Sequence, residues 1–209
     1  LIIPSAKLVP EELQKVGKFP GVIYPVNQKI VFDYLDEQYK NVCKDIQVIC
    51  NEAADKVHRR LRSYEGRKVN IIDLNELQDL GYTIYSAIQD IDSPIIINFS
   101  DTIVFDNIFE VEKDAFYYSE DFATDIWTFY DIKDGIISNI YDKIDWKNKE
   151  KRKLFVGVFQ ILNTNYFKKC LKKAFQNNDE IINNFYYAIM EYSKMYPFED
   201  IKTTNWFDI

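Results

Sequence analysis

Short apolar runs alternate with amphipathic segments along the first hundred residues. Four runs predict buried strands: Leu1–Ile3, Asp45–Cys50, Val69–Ile72 and Ile95–Phe99. Between them, apolar residues recur at steps of three and four, which predicts three helices: Ile30–Tyr39, Glu52–Tyr64 and Thr83–Ile91. Strands that alternate with helices in this way are typical of βαβ units and a parallel sheet.

The pattern changes in the second half of the chain. Two apolar segments flank the turn Lys133-Asp134-Gly135 and predict a hairpin over Ile126–Ile132 and Gly135–Ile140. A further strand is predicted over Leu154–Ile161, followed by helices over Thr164–Phe175 and Asp179–Met195. The expected fold class is therefore α/β, with a mixed, mostly parallel central sheet that helices flank.

Composition supports one globular domain over residues 1–209, since 47% of the residues are hydrophobic and 28% are charged. The net charge of −7 argues against nucleic acid or an anionic membrane as a partner. A phosphate-rich ligand would need a metal ion and local lysines. We expect no membrane span and no signal peptide. Because residue 1 already lies inside an apolar run, we expect a domain of a longer polypeptide.

The cysteines and the single histidine do not suggest a metal or nucleophile site. The three cysteines, Cys43, Cys50 and Cys170, have no zinc-type spacing, and an odd count in apolar contexts favours a reducing, cytoplasmic compartment. His58 lies in a basic run whose helical spacing predicts a solvated helix face rather than a nucleic-acid contact.

Two aspartates provide the strongest candidate chemistry. Asp101 follows the most apolar run of the chain, and Asp208 follows Trp206-Phe207. An aspartate after a strand is often a helix cap or a turn former. However, open α/β sheets hold their ligands at this end of the strands, and two carboxylates can share one divalent cation and place it on a phosphate.

Two further segments are weaker candidates for ligand contact. The long connection that begins at Pro4 lies where α/β folds often bind phosphate, but it has no glycine cluster. Gly81 precedes a predicted helix, where a glycine lets backbone approach a planar ligand; an ordinary loop glycine is the alternative.

The order of six segments resembles the sugar-nucleotide nucleotidyltransferase family, whose enzymes join a nucleoside triphosphate to a sugar phosphate or related phosphorylated alcohol. Counterparts of the family's motifs extend over nearly the whole chain: Leu1–Ala6 for the first strand and "AAG" loop, Pro20–Val26 for "PKxxxPV", Leu80–Ile88 for "LGTAxAL", Phe99–Asp101 for "GD", Tyr141–Lys143 for "EKP" and Trp206–Ile209 for "WxDIGT". The resemblance implies a Rossmann-like, GT-A-like fold.

The resemblance also implies roles for individual residues. Asp101 and Asp208 would bind Mg²⁺, and Lys143 would meet the sugar-side phosphate. The nucleotide would contact residues of two segments: Pro4, Ser5, Ala6, Lys7, Gly81, Tyr82 and Thr83. The implied partners are a nucleoside triphosphate and a phosphorylated small-molecule acceptor, whose phosphate attacks the α-phosphorus while pyrophosphate leaves.

The chain departs from the family pattern at the residues that meet the triphosphate. The glycine-rich loop with its arginine is missing, and Gly21 stands at the lysine of "PKxxxPV". Lys7, Lys15 or Lys18 could supply the missing charge, and we assign a catalytic role to Lys18 as a hypothesis. The segment Val9–Gln14 is similar to a variant in bacterial surface-polysaccharide proteins, which implies a role in making an activated glycan precursor.

Two alternatives to a nucleotidyltransferase remain open. A glycosyltransferase that uses a nucleotide-diphosphate sugar has a related fold, but its usual DxD pair is not matched by Asp101-Thr102-Ile103. A non-catalytic nucleotide-binding module of the same fold is favoured by the missing cations of the first loop.

Overall fold

The computed structural model describes residues 1–106, 112–144, 146, 150–176 and 182–209. The chain divides into two compact units. The first unit comprises Leu1–Gln78, Ile97–Ile108 and Asn205–Ile209, and the second comprises Asp79–Ile96 and Phe109–Thr204. The prediction of one domain over residues 1–209, taken from a longer polypeptide, stays a prediction.

The first unit is built on parallel strands in the order β6-β1-β4-β5. Their bounds are β1, Ile2–Ser5; β4, Asp45–Cys50; β5, Lys68–Asp73; and β6, Ile95–Asn98. Strand β6 is shared with the second unit, because the division falls between Ile96 and Ile97. Isoleucine and valine occupy half of the positions in β1 and β4, and all of these side chains are buried. Such buried strands are typical of parallel sheets that are covered on both faces.

The remaining elements of the first unit are short. Two antiparallel ladders join β2 (Pro25–Val26) to β3 (Lys29–Ile30) and β7 (Thr102–Val104) to β13 (Trp206–Asp208). The helices are α1, Val31–Tyr39, and α2, Ala54–Leu61, with 3₁₀ turns at Glu11–Leu13 and Gly21–Ile23. The valine and leucine that α2 buries, Val57 and Leu61, are one turn apart, as an amphipathic helix requires.

The second unit contains the antiparallel ladders. Its strands are β8, Ala115–Phe122; β9, Thr128–Lys133; β10, Ile136–Asp142; β11, Lys151–Ile161; and β12, Glu199–Lys202. Strand β11 pairs antiparallel with both β8 and β9, and β12 adds to β8 in parallel. Its helices are α3, Leu80–Ile88; α4, Thr164–Ala174; and α5, Asn184–Ser193.

Aromatic rings pack the core of the second unit. The Phe116 ring lies at centroid distances of 5.1–5.7 Å from the rings of Tyr130, Phe155, Phe159 and Phe198. Edge-to-face and tilted pairs of this kind add to the stabilisation that burial of large apolar side chains already provides. Together with the parallel strands of the first unit, these ladders confirm the predicted mixed, mostly parallel sheet flanked by helices.

Several predicted elements match the structure closely. Strand β4 has the predicted bounds, and the hairpin forms between β9 and β10 around Asp134 and Gly135, which both adopt positive φ. The helix predicted over Asp179–Met195 is present as α5; residues 177–181 lie outside the described part of the chain.

Several predicted boundaries were wrong, and three of them have a clear structural reason. Pro4 and Ser5 belong to β1 rather than to a loop. Helix α2 begins only at Ala54, because Ala53 adopts a left-handed conformation. Helix α3 begins before Gly81, since the Asp79 carboxylate accepts a hydrogen bond from the Tyr82 amide at 2.7 Å and caps the helix.

Candidate active site

A clamped turn presents Asp101 after β6. The Thr102 amide donates to the Phe99 carbonyl at 3.2 Å, which closes the turn. The Asn98 side-chain amide donates to the carbonyls of Phe99 and Thr102 at 2.7 and 2.9 Å. The Asn98 side-chain oxygen accepts a hydrogen bond from the Tyr39 hydroxyl at 2.7 Å, and Asn98 is 0% exposed. The turn is therefore held by a buried side chain.

Asp208 reaches the same place by strand pairing. In the β7–β13 ladder, Asp208 is paired with Thr102, and the next amide, that of Ile209, donates to the Asp101 carbonyl at 3.0 Å. The Thr102 hydroxyl oxygen lies 3.4 Å from Asp101 Oδ1 and 3.3 Å from Asp208 Oδ1. The two predicted carboxylates are therefore brought together around one hydroxyl.

The route by which Asp208 arrives differs from the prediction. It was expected just beyond a buried strand of the main sheet, but it is the last residue of β13 itself, in a two-stranded ladder. Thr102 and Asp208 form a pair that does not exchange backbone hydrogen bonds. The backbone hydrogen bonds of this ladder join Phe105 to Asn205 and Ile209 to Asp101, and bonded pairs alternate with non-bonded pairs along an antiparallel ladder. Side chains lie closer in non-bonded pairs.

The donor set fits a hard divalent cation. Both aspartates are half-buried carboxylates, and Mg²⁺ in phosphate-handling sites is bound by one or two carboxylates, with waters and substrate phosphates completing its ligands. Within the described ranges, no group of three His, Cys, Asp or Glu side chains could hold a metal ion by itself. A cation on Asp101 and Asp208 would thus take further ligands from substrate and water.

The predicted phosphate-binding segment begins in β1 and leads into an exposed lysine. Pro4, Ser5 and Ala6 are buried, while Lys7 is exposed. The Ser5 hydroxyl accepts a hydrogen bond from the Val22 amide at 3.2 Å, which ties the end of β1 to the 3₁₀ turn Gly21–Ile23. The Ser5 side chain therefore orders protein backbone here, and the roles of Pro4–Lys7 in nucleotide binding stay a prediction.

The Gly21 backbone approaches the Asp101 turn closely. A Cβ atom at position 21 would lie 2.8 Å from both the carbonyl oxygen and the hydroxyl oxygen of Ser100. No larger side chain fits there without movement of the turn. The replacement of the family's lysine by Gly21 is therefore matched by tight local packing.

Lys18 lies on the exposed surface of the same connection. Its backbone carbonyl accepts a hydrogen bond from Lys56 Nζ at 2.6 Å, which fixes the backbone there and leaves the Lys18 side chain exposed. A catalytic role for Lys18 stays a prediction.

In the second unit, Gly81, Tyr82 and Thr83 form the first turn of α3. A Cβ atom on Gly81 would lie 2.8 Å from the Phe185 amide nitrogen and 2.9 Å from Asn184 Cβ, so this glycine allows α3 and α5 to pack closely. Thr83 is buried, and its hydroxyl donates to the Asp79 carbonyl at 2.9 Å. Helix packing accounts for Gly81, and its contact with a nucleotide base stays a prediction.

Lys143 follows β10 and is exposed, with a positive φ of 53°. The preceding residue, Asp142, accepts hydrogen bonds from the Thr128 hydroxyl at 2.7 Å and from the Asn183 amide at 3.2 Å. These bonds fix the end of β10 against the start of α5. The proposed contact of Lys143 with a phosphate stays a prediction.

A polar network at the start of α5 was missed by the sequence analysis. Asn183 caps α5 by accepting from the Phe185 amide at 3.0 Å, and the Asn184 side-chain amide donates to the Asp79 carboxylate that caps α3. The start of α5 is thereby bonded to two other segments, the end of β10 and the start of α3. These are the two segments of this unit that carry predicted ligand contacts. The Asn-Asn pair before an apolar helix was the available signal.

The histidine lies on a helix surface, and the cysteines form no disulfide within the described residues. His58 Nε2 lies 2.8 Å from the Asp73 carboxylate, on an exposed face of α2. Cys43 is half-buried and the other two cysteines are buried, all with free thiols. Burial raises the pKa of the Cys50 thiol to about 12 and that of Cys170 to about 11, so both are protonated and poorly nucleophilic at neutral pH.

Comparison with known proteins identifies the fold. No protein-family model matches the chain, and no curated protein matches it in sequence. Among solved structures, CTP:phosphocholine cytidylyltransferase from Streptococcus pneumoniae matches with a TM-score of 0.75 and 17% identity, covering 100% of this chain and 92% of that one. The inositol-1-phosphate CTP transferase from T. maritima matches with a TM-score of 0.69 and 14% identity, over 100% and 87%.

A third structure, UDP-glucose pyrophosphorylase complexed with UDP-glucose, matches with a TM-score of 0.71 and 11% identity, covering 96% of this chain and 89% of that one.

No helix within the described residues is long and apolar enough to cross a membrane. The strand order, the turn after β6 and these likenesses agree with the resemblance found in the sequence: the chain has the Rossmann-like fold of the sugar-nucleotide nucleotidyltransferases.

Proposed function

We propose that the chain is a Mg²⁺-dependent nucleotidyltransferase. It transfers a nucleoside monophosphate from a nucleoside triphosphate to a phosphorylated small-molecule acceptor and releases pyrophosphate. The observation that carries this proposal is the pairing of Asp101 with Asp208 around the Thr102 hydroxyl, at the end of a central strand of this fold. Ligands of open α/β sheets bind at this end of the strands.

The proposed chemistry relies on positioning and on charge. Bound Mg²⁺ would neutralise charge on the triphosphate and orient it. Asp101 and Asp208 hold that cation, and the Asn98 clamp keeps Asp101 in place. Lys18 and Lys143 are proposed to meet phosphate oxygens, and residues Pro4–Lys7 and Gly81–Thr83 to contact the nucleotide. The acceptor phosphate attacks the α-phosphorus as the bond to pyrophosphate breaks, and the protein mainly fixes this geometry.

The acceptor and the setting are narrower proposals. The structural neighbours are named for phosphocholine, inositol 1-phosphate and UDP-glucose, so small phosphorylated alcohols and sugars are the acceptors to test first. Synthesis of a surface-polysaccharide precursor in the cytoplasm, from the segment Val9–Gln14, is proposed as the role. The net charge of −7 disfavours nucleic acid as a partner.

One observation favours a second candidate, a non-catalytic nucleotide-binding module. The family's lysine is replaced by Gly21, and Ser100 packs so closely against this glycine that no cation can extend from position 21. A glycosyltransferase would instead release a nucleoside diphosphate or monophosphate. The product therefore separates all three candidates.

The deciding experiment combines binding with product analysis. Thermal stability is measured with CTP, UTP, ATP, GTP and dTTP, with and without Mg²⁺, and pyrophosphate release is then measured with each acceptor. A nucleotide at 100 times its dissociation constant should stabilise the protein by about 2.7 kcal/mol. Metal-dependent stabilisation without pyrophosphate release would support the non-catalytic module.

Neutralising either aspartate should remove the metal-dependent effects. We expect Asp101→Asn and Asp208→Asn each to lower turnover by about 100-fold, because each removes charge that acts in the transition state. The control is Asp45→Asn. Asp45 is exposed and lies at the N-terminal end of β4, whereas Asp101 follows the C-terminal end of the parallel strand β6. Turnover that is unchanged in both site variants would contradict the proposed metal site.

A further inference from the structure

The first unit contains a groove with apolar walls whose lining includes neither Asp101 nor Asp208. It has a volume of about 580 Å³ and lies between helix α2 and the segment that contains the 3₁₀ turn Gly21–Ile23. Four apolar side chains line it: Phe19, Ile23, Pro25 and Ile30. An apolar groove of this size can take a small organic ligand.

Three cations from one helix border the groove. Lys56, Arg59 and Arg60 occupy positions i, i+3 and i+4 of α2, so their side chains share one helix face. None of the described residues that line the groove is acidic. In a chain with a net charge of −7, this is a local reversal of sign, and it favours an anionic ligand.

The three cations differ in how far the protein already satisfies them. Lys56 Nζ donates to the Lys18 carbonyl at 2.6 Å and lies 5.1 Å from the centroid of the Phe19 ring. Arg59 lies 3.6 Å from the Asp55 carboxylate in an exposed pair, which contributes little. Arg60 is exposed and forms no ion pair with any residue that the structure describes. Arg60 is therefore the cation best able to meet a ligand.

The groove on the other side of α2 includes an acidic residue in its lining, and two of its basic residues are paired with aspartates. It measures about 740 Å³ and is bordered by His58, Arg59, Arg62 and Arg67, but also by Asp55. His58 is paired with Asp73, and Arg67 donates to the Asp36 carboxylate and to three backbone carbonyls. This groove is less suited to an anion, and it supplies Arg62 as a control position on the same helix.

We propose that the groove between α2 and the Gly21–Ile23 turn binds a small amphipathic anion. The alkyl or aryl body would lie against the apolar walls, and a phosphate or carboxylate head group would meet Arg60 and its neighbours. The ligand is a free molecule rather than a lipid in a bilayer, since a groove of this volume takes one small molecule and the net charge of −7 disfavours an anionic membrane. Binding here requires neither the nucleotide nor Mg²⁺, so it is independent of the proposed enzymatic activity.

The test is calorimetric titration of the protein with octyl phosphate below its micelle concentration, without nucleotide or metal. Inorganic phosphate and octylammonium serve as ligands that lack the apolar body or the negative charge. We expect octyl phosphate to bind and both controls to bind at least tenfold more weakly. Arg60→Gln should weaken octyl phosphate binding about tenfold, which corresponds to about 1.4 kcal/mol, while Arg62→Gln should leave it unchanged.

Three outcomes would overturn the proposal. They are failure of octyl phosphate to bind, equal binding of octylammonium, and an affinity that Arg60→Gln does not change. Sedimentation with phosphatidylglycerol vesicles separates the two sources of such an anion. Protein that stays in the supernatant supports a free ligand, whereas cosedimentation that Arg60→Gln abolishes would contradict it.

Discussion

Each unit of the molecule buries a tyrosine hydroxyl against a side-chain oxygen, but the acceptors differ in charge. In the first unit, Tyr39 donates to the neutral amide oxygen of Asn98 at 2.7 Å. In the second, Tyr192 donates at the same distance to the carboxylate of Asp114, which is 7% exposed and also accepts from the Leu162 amide at 2.8 Å. The two networks have similar geometry and different electrostatic costs.

The difference shows what each network can be used for. Burial raises the pKa of Asp114 above its usual value, although the hydrogen bonds from Leu162 and Tyr192 oppose this shift. Asn98 does not titrate, so its hydrogen bonds to the turn do not depend on its own ionisation. A neutral network therefore supports the turn that presents Asp101, and the ionisable one supports the core of the second unit.

The largest expected effect comes from breaking the neutral network. Asn98→Leu keeps the approximate volume but removes the hydrogen bonds of the buried Asn98 side chain with the Tyr39 hydroxyl and with the carbonyls of Phe99 and Thr102. The loss of three hydrogen bonds of a buried side chain is costly, so we expect the free energy of unfolding to fall by about 3 kcal/mol. Urea unfolding measures it, with the exposed Asn41→Leu as the control. The metal-dependent nucleotide response should also weaken; a loss below about 0.5 kcal/mol would contradict the clamp.

The two close-packed glycines extend the comparison between the units. Gly21→Ala would force a Cβ atom against Ser100, and Gly81→Ala would force one against Phe185. We expect each to lower the free energy of unfolding by about 2 kcal/mol. The exposed Ser63→Ala is the control, because it adds no atom to a packed contact.

Nucleotide binding by these variants, measured under conditions where they are folded, separates packing from ligand contact. Gly21→Ala should reduce the metal-dependent response, since it displaces the turn that bears Asp101. Gly81→Ala should affect nucleotide affinity only if the predicted contact with the base exists. Unchanged stability in both variants would contradict the packing described for these glycines.

The smallest expected effect is a pH dependence confined to the ionisable network. Because the folded-state pKa of Asp114 is raised, its contribution to stability is present below the unfolded pKa of about 3.9 and is lost as pH rises through the folded value. Relative to Asp114→Asn, the wild type should therefore lose stability between pH 3 and pH 7, by on the order of 1 kcal/mol.

Urea unfolding at several pH values between these limits measures that loss. The penalty of Asn98→Leu should stay constant over the same range, because the hydrogen bonds that the substitution removes involve an amide, a tyrosine hydroxyl and backbone carbonyls. Parallel stability curves for wild type and Asp114→Asn would show that the two networks do not differ in this way.

The strands that could be predicted from sequence are those whose pattern does not depend on partners. Strand β4 was found to the residue, since its apolar run is bounded by polar residues on both sides. Strands β8 and β12 were missed because tyrosine, serine and acidic residues fill half of their positions, and they form strands through pairing with β11 and with each other. The start of α3 was missed because Gly81 was interpreted as a residue that precedes the helix, whereas it lies in the first turn and packs against α5.

The candidate site was likewise predictable only where it depends on local sequence. The apolar run before Asp101 located the first carboxylate, because strand ends are visible in local sequence. The position of Asp208 opposite Thr102 was not, since the two segments are about a hundred residues apart and their register is set by backbone hydrogen bonds between them. Asn98 was equally hidden, as its function is to satisfy carbonyls that a sequence does not reveal.

The β7–β13 ladder has a consequence for how this protein can diverge. Successive side chains of a strand point to opposite faces, so a shift of one residue in β13 would turn Asp208 away from Thr102 and bring its neighbour into that position. At the two positions before Asp208, a substitution can be tolerated wherever the backbone pairing survives. A single insertion or deletion in this segment cannot be tolerated, because it would shift the register. Functional descendants of this chain should therefore conserve the length of the segment more strictly than its amino-acid identities.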